Sequence, residues 1–295
     1  MAAIAAPAPD ASGSRRGPPR KLATSDMEEA QASPEAAARL VREGKVRSLG
    51  PGLEACRSGD VATLRRLVEA DGFDATTARD RHGSGPMVWA AGGGHLECCQ
   101  YLVHSCGVPP GEAQAGRRGY DGRSALHWAA RNGHTAVVRW LIDECGCVAD
   151  TLQADGTTPF CLAIWQGHLE VCDLLVARGA APGRLNSYGC NAAMWAAQGP
   201  GGTVRTFEYL QKLGVDVDRI NDNGQGCLHK AAQRANHEVC NWLREVARIR
   251  SPHHFRPNVS EKSVPSELAT YAGDDELGRQ LQRWEREVLA AVTAE

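Results

Sequence analysis

At 295 residues, with 23% charged side chains and a formal net charge of −2, the chain has neither the basic footprint of a nucleic-acid binder nor an acidic tail. No apolar run approaches the roughly eighteen residues that span a bilayer, and no basic segment followed by a long apolar core reads as a secretory signal. Eleven cysteines, an odd number spread along the chain, do not form a disulfide framework; a cytoplasmic protein is expected, with the nucleus as the alternative.

Residues 1–34 are rich in Ala, Pro, Ser, Gly and Arg without periodicity. They cannot bury enough apolar surface to fold, so a disordered tail is predicted. The scarcity of acidic residues before Asp26 leaves an organelle transit peptide as the lesser alternative. Residues 35–48 read as a short helix and linker. From Leu53, helical spacing puts Leu64, Leu67 and Val68 on one face, as expected of a capping unit. A full unit follows over Gly83–Val103, its first helix broken by Gly92-Gly93-Gly94. The connection Val108–Gly119 contains Pro109-Pro110-Gly111, which excludes regular structure. It reads either as a tolerated surface loop, since closing a few extra residues costs only tenths of a kcal/mol, or as a loop on a binding side.

The stretch Asp121–Leu141 is the most regular. A turn at Asp121-Gly122 precedes a short helix, a break at Asn132-Gly133 and a second helix ending in Trp140-Leu141. The same pattern restarts at Asp155-Gly156 and Asn223-Gly224. The first Ala of a recurring pair gives the ruler Ala90, Ala129, Ala163, Ala196 and Ala231, with steps of 39, 34, 33 and 35 by subtraction. Ala55 lies 35 before the first and Ala269 lies 38 after the last, which extends the series to seven units. Helix–turn–helix units of this length cannot bury their own apolar face, so they stack as a solenoid. The fifth unit, Gly189–Leu210, carries two extra residues at Gln198-Gly199-Pro200-Gly201-Gly202; the sixth has Asn236 where the third has His134. Residues 248–264 read as a polar linker. Residues 265–295 read as a closing cap, with Leu281 and Trp284 facing inward.

Ser124-Ala125-Leu126-His127, Thr158-Pro159-Phe160-Cys161 and Gly226-Cys227-Leu228-His229 occupy one motif position. Gly94-His95, Gly133-His134 and Gly167-His168 occupy another. Together they resemble the ankyrin repeat over about residues 50–285. The resemblance implies an all-α ankyrin-repeat solenoid of stacked helix–turn–helix units, about five full repeats plus two capping units, with the array over 49–247. It also implies that the first-helix histidines bond the motif Ser or Thr and that the second-helix histidines cap a helix and its neighbouring turn. Gly226 has no hydroxyl with which to serve His229.

No phosphate-cradling Gly-x-x-x-x-Gly-Lys-Ser/Thr and no His-Glu-x-x-His occurs in the sequence. Cys98-Cys99 and Cys145-Gly146-Cys147 lack the spacing of a structural zinc site. No catalytic residue, cofactor or metal site is therefore expected. Trp89, Trp128 and Trp195 share the slot before the Ala pair and are expected to form a stacked row inside the array.

The resemblance implies partner-binding positions around each turn tip and after each Ala pair. In this chain these are Arg81 and His82; Tyr120, Asp121, Arg123, Arg131 and Asn132; Asp155, Trp165 and Gln166; Tyr188 and Gln198; and Asn223, Gln233 and Arg234. Aromatic and Arg side chains there suit an interface and favour another protein offering an acidic and apolar segment. The expected function is a non-enzymatic interaction scaffold or adaptor that binds on the concave face, without nucleic acid and without membrane insertion. The alternative is a regulatory or substrate-recruiting subunit of an enzyme complex, such as a ubiquitin ligase or phosphatase, whose terminal segments hold the second partner.

Overall fold

A computed structural model describes residues 49–111, 122–249 and 251–293. The tail expected at 1–34, the helix expected within 35–48 and most of the insertion 108–119 lie outside the described residues. Within them, fourteen α-helices form seven pairs. The pairs are α1 (Pro51–Ser58) with α2 (Val61–Glu69), α3 (Pro86–Gly92) with α4 (Leu96–His104), α5 (Ala125–Arg131) with α6 (Thr135–Asp143), and α7 (Pro159–Gln166) with α8 (Leu169–Ala177). They continue with α9 (Ala192–Gln198) and α10 (Val204–Lys212), α11 (Cys227–Gln233) and α12 (His237–Glu245), and α13 (Pro265–Tyr271) and α14 (Asp275–Thr293).

Helices of two turns are not stable alone; here local signals start them and stacking holds them. Thr158 accepts a bond from the Cys161 N–H at 3.3 Å, with Pro159 at the first helical position of α7. The odd-numbered helices form an inner row in which each touches the next. The alanine ruler marks the contact line: Ala90, Ala129, Ala163, Ala196 and Ala231 are all 0% exposed. The even-numbered helices form an outer row with sparser contacts. Each outer helix buries one stripe, such as Val137, Val138, Trp140 and Leu141 of α6. Cys99, Cys172 and Cys240 lie buried in that stripe as small hydrophobes, and burial pushes the Cys240 thiol up to about 12.

Histidines join the units. The Ser124 N–H donates to His127 Nδ1 at 3.2 Å, so Nε2 carries the proton and donates to the Thr157 carbonyl of the next unit at 3.2 Å. His229 repeats this without a hydroxyl. Its Nδ1 accepts from the Gly226 N–H at 3.4 Å and its Nε2 donates to the Arg256 carbonyl at 3.1 Å. The missing side chain has a reason. A Cβ on Gly226 would lie 2.7 Å from His254 Nδ1, so the glycine makes room for that ring. His254 sits in a 3-10 turn, Pro252–Phe255, and its Nε2 donates to Asp218 at 2.6 Å. The segment 248–264, read as a polar linker, thus buries His254 and Phe255; His254 lies beside Gly226 of the sixth unit, and the 3-10 turn also touches α14 of the seventh.

The second-helix histidines make no side-chain bond to the start of their own helices. His95 and His134 instead reach back to the preceding unit, donating through Nε2 to the Arg57 and Gly92 carbonyls, each at 2.9 Å. Asn236 does both jobs: it donates to the Gly202 carbonyl at 2.7 Å and accepts from the Val239 N–H at 3.1 Å. In the fifth unit the glycine-rich turn replaces the histidine. There the Gly201 N–H itself donates to the Trp165 carbonyl at 3.0 Å, in an approach so close that a Cβ would come within 2.1 Å of the Gly167 nitrogen.

Candidate docking surface

The positions expected to bind a partner separate into three groups. The first is a ladder on α5 and α7. Arg131 was expected on the open face, but it is only 3% exposed. Its guanidinium carbon lies 5.3 Å from the Trp128 ring centre and 4.9 Å from that of Trp165, one unit along. Arg123 covers Trp128 from the turn tip at 5.2 Å and donates through Nε to Gln153 at 3.1 Å. Arginine faces therefore alternate with the indoles, each pair a cation–π contact. Among the described residues Trp128 meets guanidinium groups rather than the stacked row of indoles that the shared slot suggested. Trp165, half-buried, closes the ladder beside the open face.

The second group lines a cleft of about 470 Å³ between α9 and α11 and the turn tips beside them. Asp155, Tyr188, Gln198 and Asn223, all expected there, meet Trp195 and Lys230, which were not among the expected contacts. Tyr188 is 60% exposed and Gln198 is exposed. Trp195, placed in the core by its slot, is only half-buried and forms a wall. Lys230 carries a legible signal: it fills the slot that holds Trp89, Trp128, Leu162 and Trp195 in the other four full units. Burial holds its amine below the ordinary lysine value.

The third group is tied up in the scaffold or stands apart. His82 is buried and accepts from Arg81 Nε at 2.7 Å, while Arg81 itself is exposed. Asn132 donates to the Gly92 carbonyl at 2.7 Å, so its amide fastens two units together. Asn223, of the second group, is also tied down, bonding Ser260 twice, at 2.8 and 2.9 Å. Gln166 lines a separate hollow of about 650 Å³ with His168, Pro200 and Arg205. Gln233 and Arg234 are exposed at the end of α11. Tyr120 and Asp121 lie outside the described residues.

Among the described residues no cluster of His, Cys, Asp and Glu could hold a metal ion, and no helix is long and apolar enough to cross a membrane. Burial holds His127 and His229 down at about 4, so these imidazoles are neutral structural donors at neutral pH.

Family models described as ankyrin repeats (3 copies) and ankyrin repeats (many copies) match residues 107–185 and residues 53–103 and 195–244, respectively. The chain is 29% identical over 199 residues, 67% of its length, to the ankyrin repeat and KH domain-containing protein mask-1 of Caenorhabditis elegans, of which the match spans 7%. It is 37% identical over 87 residues, 29% of its length, to ankyrin repeat domain-containing protein 63 of Mus musculus and of Homo sapiens, of which the match spans 22% and 23%. The match thus spans less than a quarter of each of these relatives. Among solved structures, the chain is similar to one from the complex of the Bd0816 predatory endopeptidase from Bdellovibrio bacteriovorus with immunity protein Bd3460. The TM-score is 0.54 at 27% identity, covering 68% of this chain and 100% of that one.

Proposed function

The chain belongs to the ankyrin repeat family, and from that premise we infer that it is a non-enzymatic scaffold whose protein partner docks along the inner face from α5 to α11. Ankyrin repeats are protein-interaction modules, and the inner helices and their turn tips carry the positions that the family resemblance marks for a partner. The observation that carries the reading is the aromatic and polar relief on that face. Trp165, Tyr188, Trp195 and Gln198 stand half-buried or exposed on consecutive units, beside an ordered Arg123–Trp128–Arg131 ladder. Such a surface is preformed, so little side-chain ordering opposes docking. Arg123 and Arg234 flanking the aromatics favour a partner segment that mixes acidic and apolar residues.

The test is a paired affinity capture from native lysate. One bait is the full chain and the other carries Tyr188→Ala, Gln198→Ala and Arg234→Ala. Arg131 is left intact because its burial makes it structural. A partner held by the first bait and lost from the second, with both baits equally folded by circular dichroism, supports the inner face. Partners retained equally by both exclude it. That result would favour a recruiting subunit that works through its terminal segments.

A further inference from the structure

Lys230 breaks the rule of its slot. In the three preceding units of the array that are sealed at this position, Trp89, Trp128 and Leu162 are buried. An ammonium half-buried at the same place loses hydration, and that cost is recovered only by a charged or hydrogen-bonded partner. Among the described residues no carboxylate lies within hydrogen-bonding distance of it; Cys190 and then Glu261 act on it only through their fields. Asp155 is the acid that lines the cleft; its Oδ1 accepts from the Thr157 N–H at 2.9 Å and from the Gln153 amide at 2.8 Å, which fixes the carboxylate to its own turn. Lys230 is also the basic residue among those lining the cleft, whose remaining walls are the Trp195 and Tyr188 rings, Met194, the Cys190 thiol and neutral amides. A cavity of about 470 Å³ with aromatic walls, amides and one cation that has no hydrogen-bonded carboxylate among the described residues suits a ligand that brings both an apolar body and a negative charge.

We propose that this cleft is an acidic-side-chain pocket: it receives an aspartate or glutamate of the docked partner segment, its carboxylate on Lys230 Nζ and an adjacent apolar residue against Trp195 and Tyr188. The inference rests on the inner-face reading and adds the chemistry of one anchor. The carboxylate supplies the missing partner of the lysine, and the aromatic walls shield the resulting pair from water, which strengthens it. Methionine is a fitting replacement for Lys230, because the slot takes Trp or Leu in the other full units; Lys230→Arg keeps the charge.

The experiment selects a displayed random peptide library on the full chain, then measures the enriched peptides against wild type, Lys230→Met, Lys230→Arg and a Trp165→Ala/Gln198→Ala variant. Thermal unfolding confirms that each variant is folded. The expected result is peptides with an essential Asp or Glu. Changing that residue to Asn or Gln, or Lys230 to Met, should each weaken binding at least about tenfold, the two losses should not add, and Lys230→Arg should retain most of the affinity. Peptides that bind Lys230→Met as well as wild type but lose affinity for Trp165→Ala/Gln198→Ala would overturn the acidic pocket and leave the inner face standing. Peptides indifferent to every variant, or failure to enrich any peptide, would overturn both.

Discussion

Arg131 decides whether the ladder is scaffold or surface. Its guanidinium lies 5.3 Å from the Trp128 ring centre and 4.9 Å from that of Trp165, and the residue is 3% exposed. A cation–π contact contributes about 0.5–2 kcal/mol, with the higher figure for desolvated pairs. Two such contacts plus the buried stem of the side chain put the cost of Arg131→Ala at about 2–4 kcal/mol. For an array of this size each kcal/mol lowers Tm by about 2–4 °C, so the loss should be on the order of 5–15 °C. Arg131→Lys should restore only part of it, because a compact ammonium cannot lie flat between two indoles. Urea unfolding followed by tryptophan fluorescence measures the effect. A double-mutant cycle with Trp165→Ala should show a coupling of about 1 kcal/mol. Solenoid stability is shared between neighbours, so hydrogen exchange should quicken most in the third and fourth units. If Arg131→Ala falls within about 0.5 kcal/mol of wild type, as exposed substitutions do, or if the cycle closes at zero, the sandwich does not hold these units together.

Three further outcomes follow from the same packing. His127 and His229 titrate from an unfolded value of 6.5 to about 4 in the fold, because burial disfavours the imidazolium. Their stabilisation is therefore complete above pH 6.5 and is lost as pH falls toward 4, by about 3 kcal/mol each; His127→Gln should flatten the dependence of urea midpoint on pH over that window. Gly226→Ser restores the family's hydroxyl yet should destabilise by about 1–3 kcal/mol, since its Cβ would lie 2.7 Å from His254 Nδ1 and 2.9 Å from Ile220 Cδ1; combining it with His254→Ala should recover much of the loss in a thermal melt. Ala235 stands where the other units have glycine and adopts a left-handed φ of 52°. Ala235→Gly should raise stability by about 0.5–1 kcal/mol by urea titration, and no gain would show that the strain is absent.

The period and the joints were legible because they are local. The alanines sit where inner helices touch, and a larger side chain there would push the units apart, so the ruler survives in every unit. The Ser124–His127 contact spans one helical turn and is readable from spacing alone. What was hidden depends on the next unit. A positional rule puts Arg131 and Asn132 on the open face, but Trp165 and the Gly92 carbonyl arrive from units roughly one repeat away and bind them into the stack. His254 is a residue in a segment without motif, yet it explains the glycine at 226. Lys230 was visible as a charge where the other full units carry Trp or Leu, but only the cleft it lines with Trp195 shows that the position borders an open space.

Site-specific photocrosslinking tests the central claim most directly. A benzophenone side chain is placed in the full chain at Tyr188, Gln198 or Arg234 on the inner face, and at Arg139 or Glu208, exposed on the outer helices α6 and α10. After irradiation in native lysate, the inner positions should trap the same protein partner and the outer positions should trap none of it. Crosslinking from the outer positions with silence at all three inner ones would contradict the account.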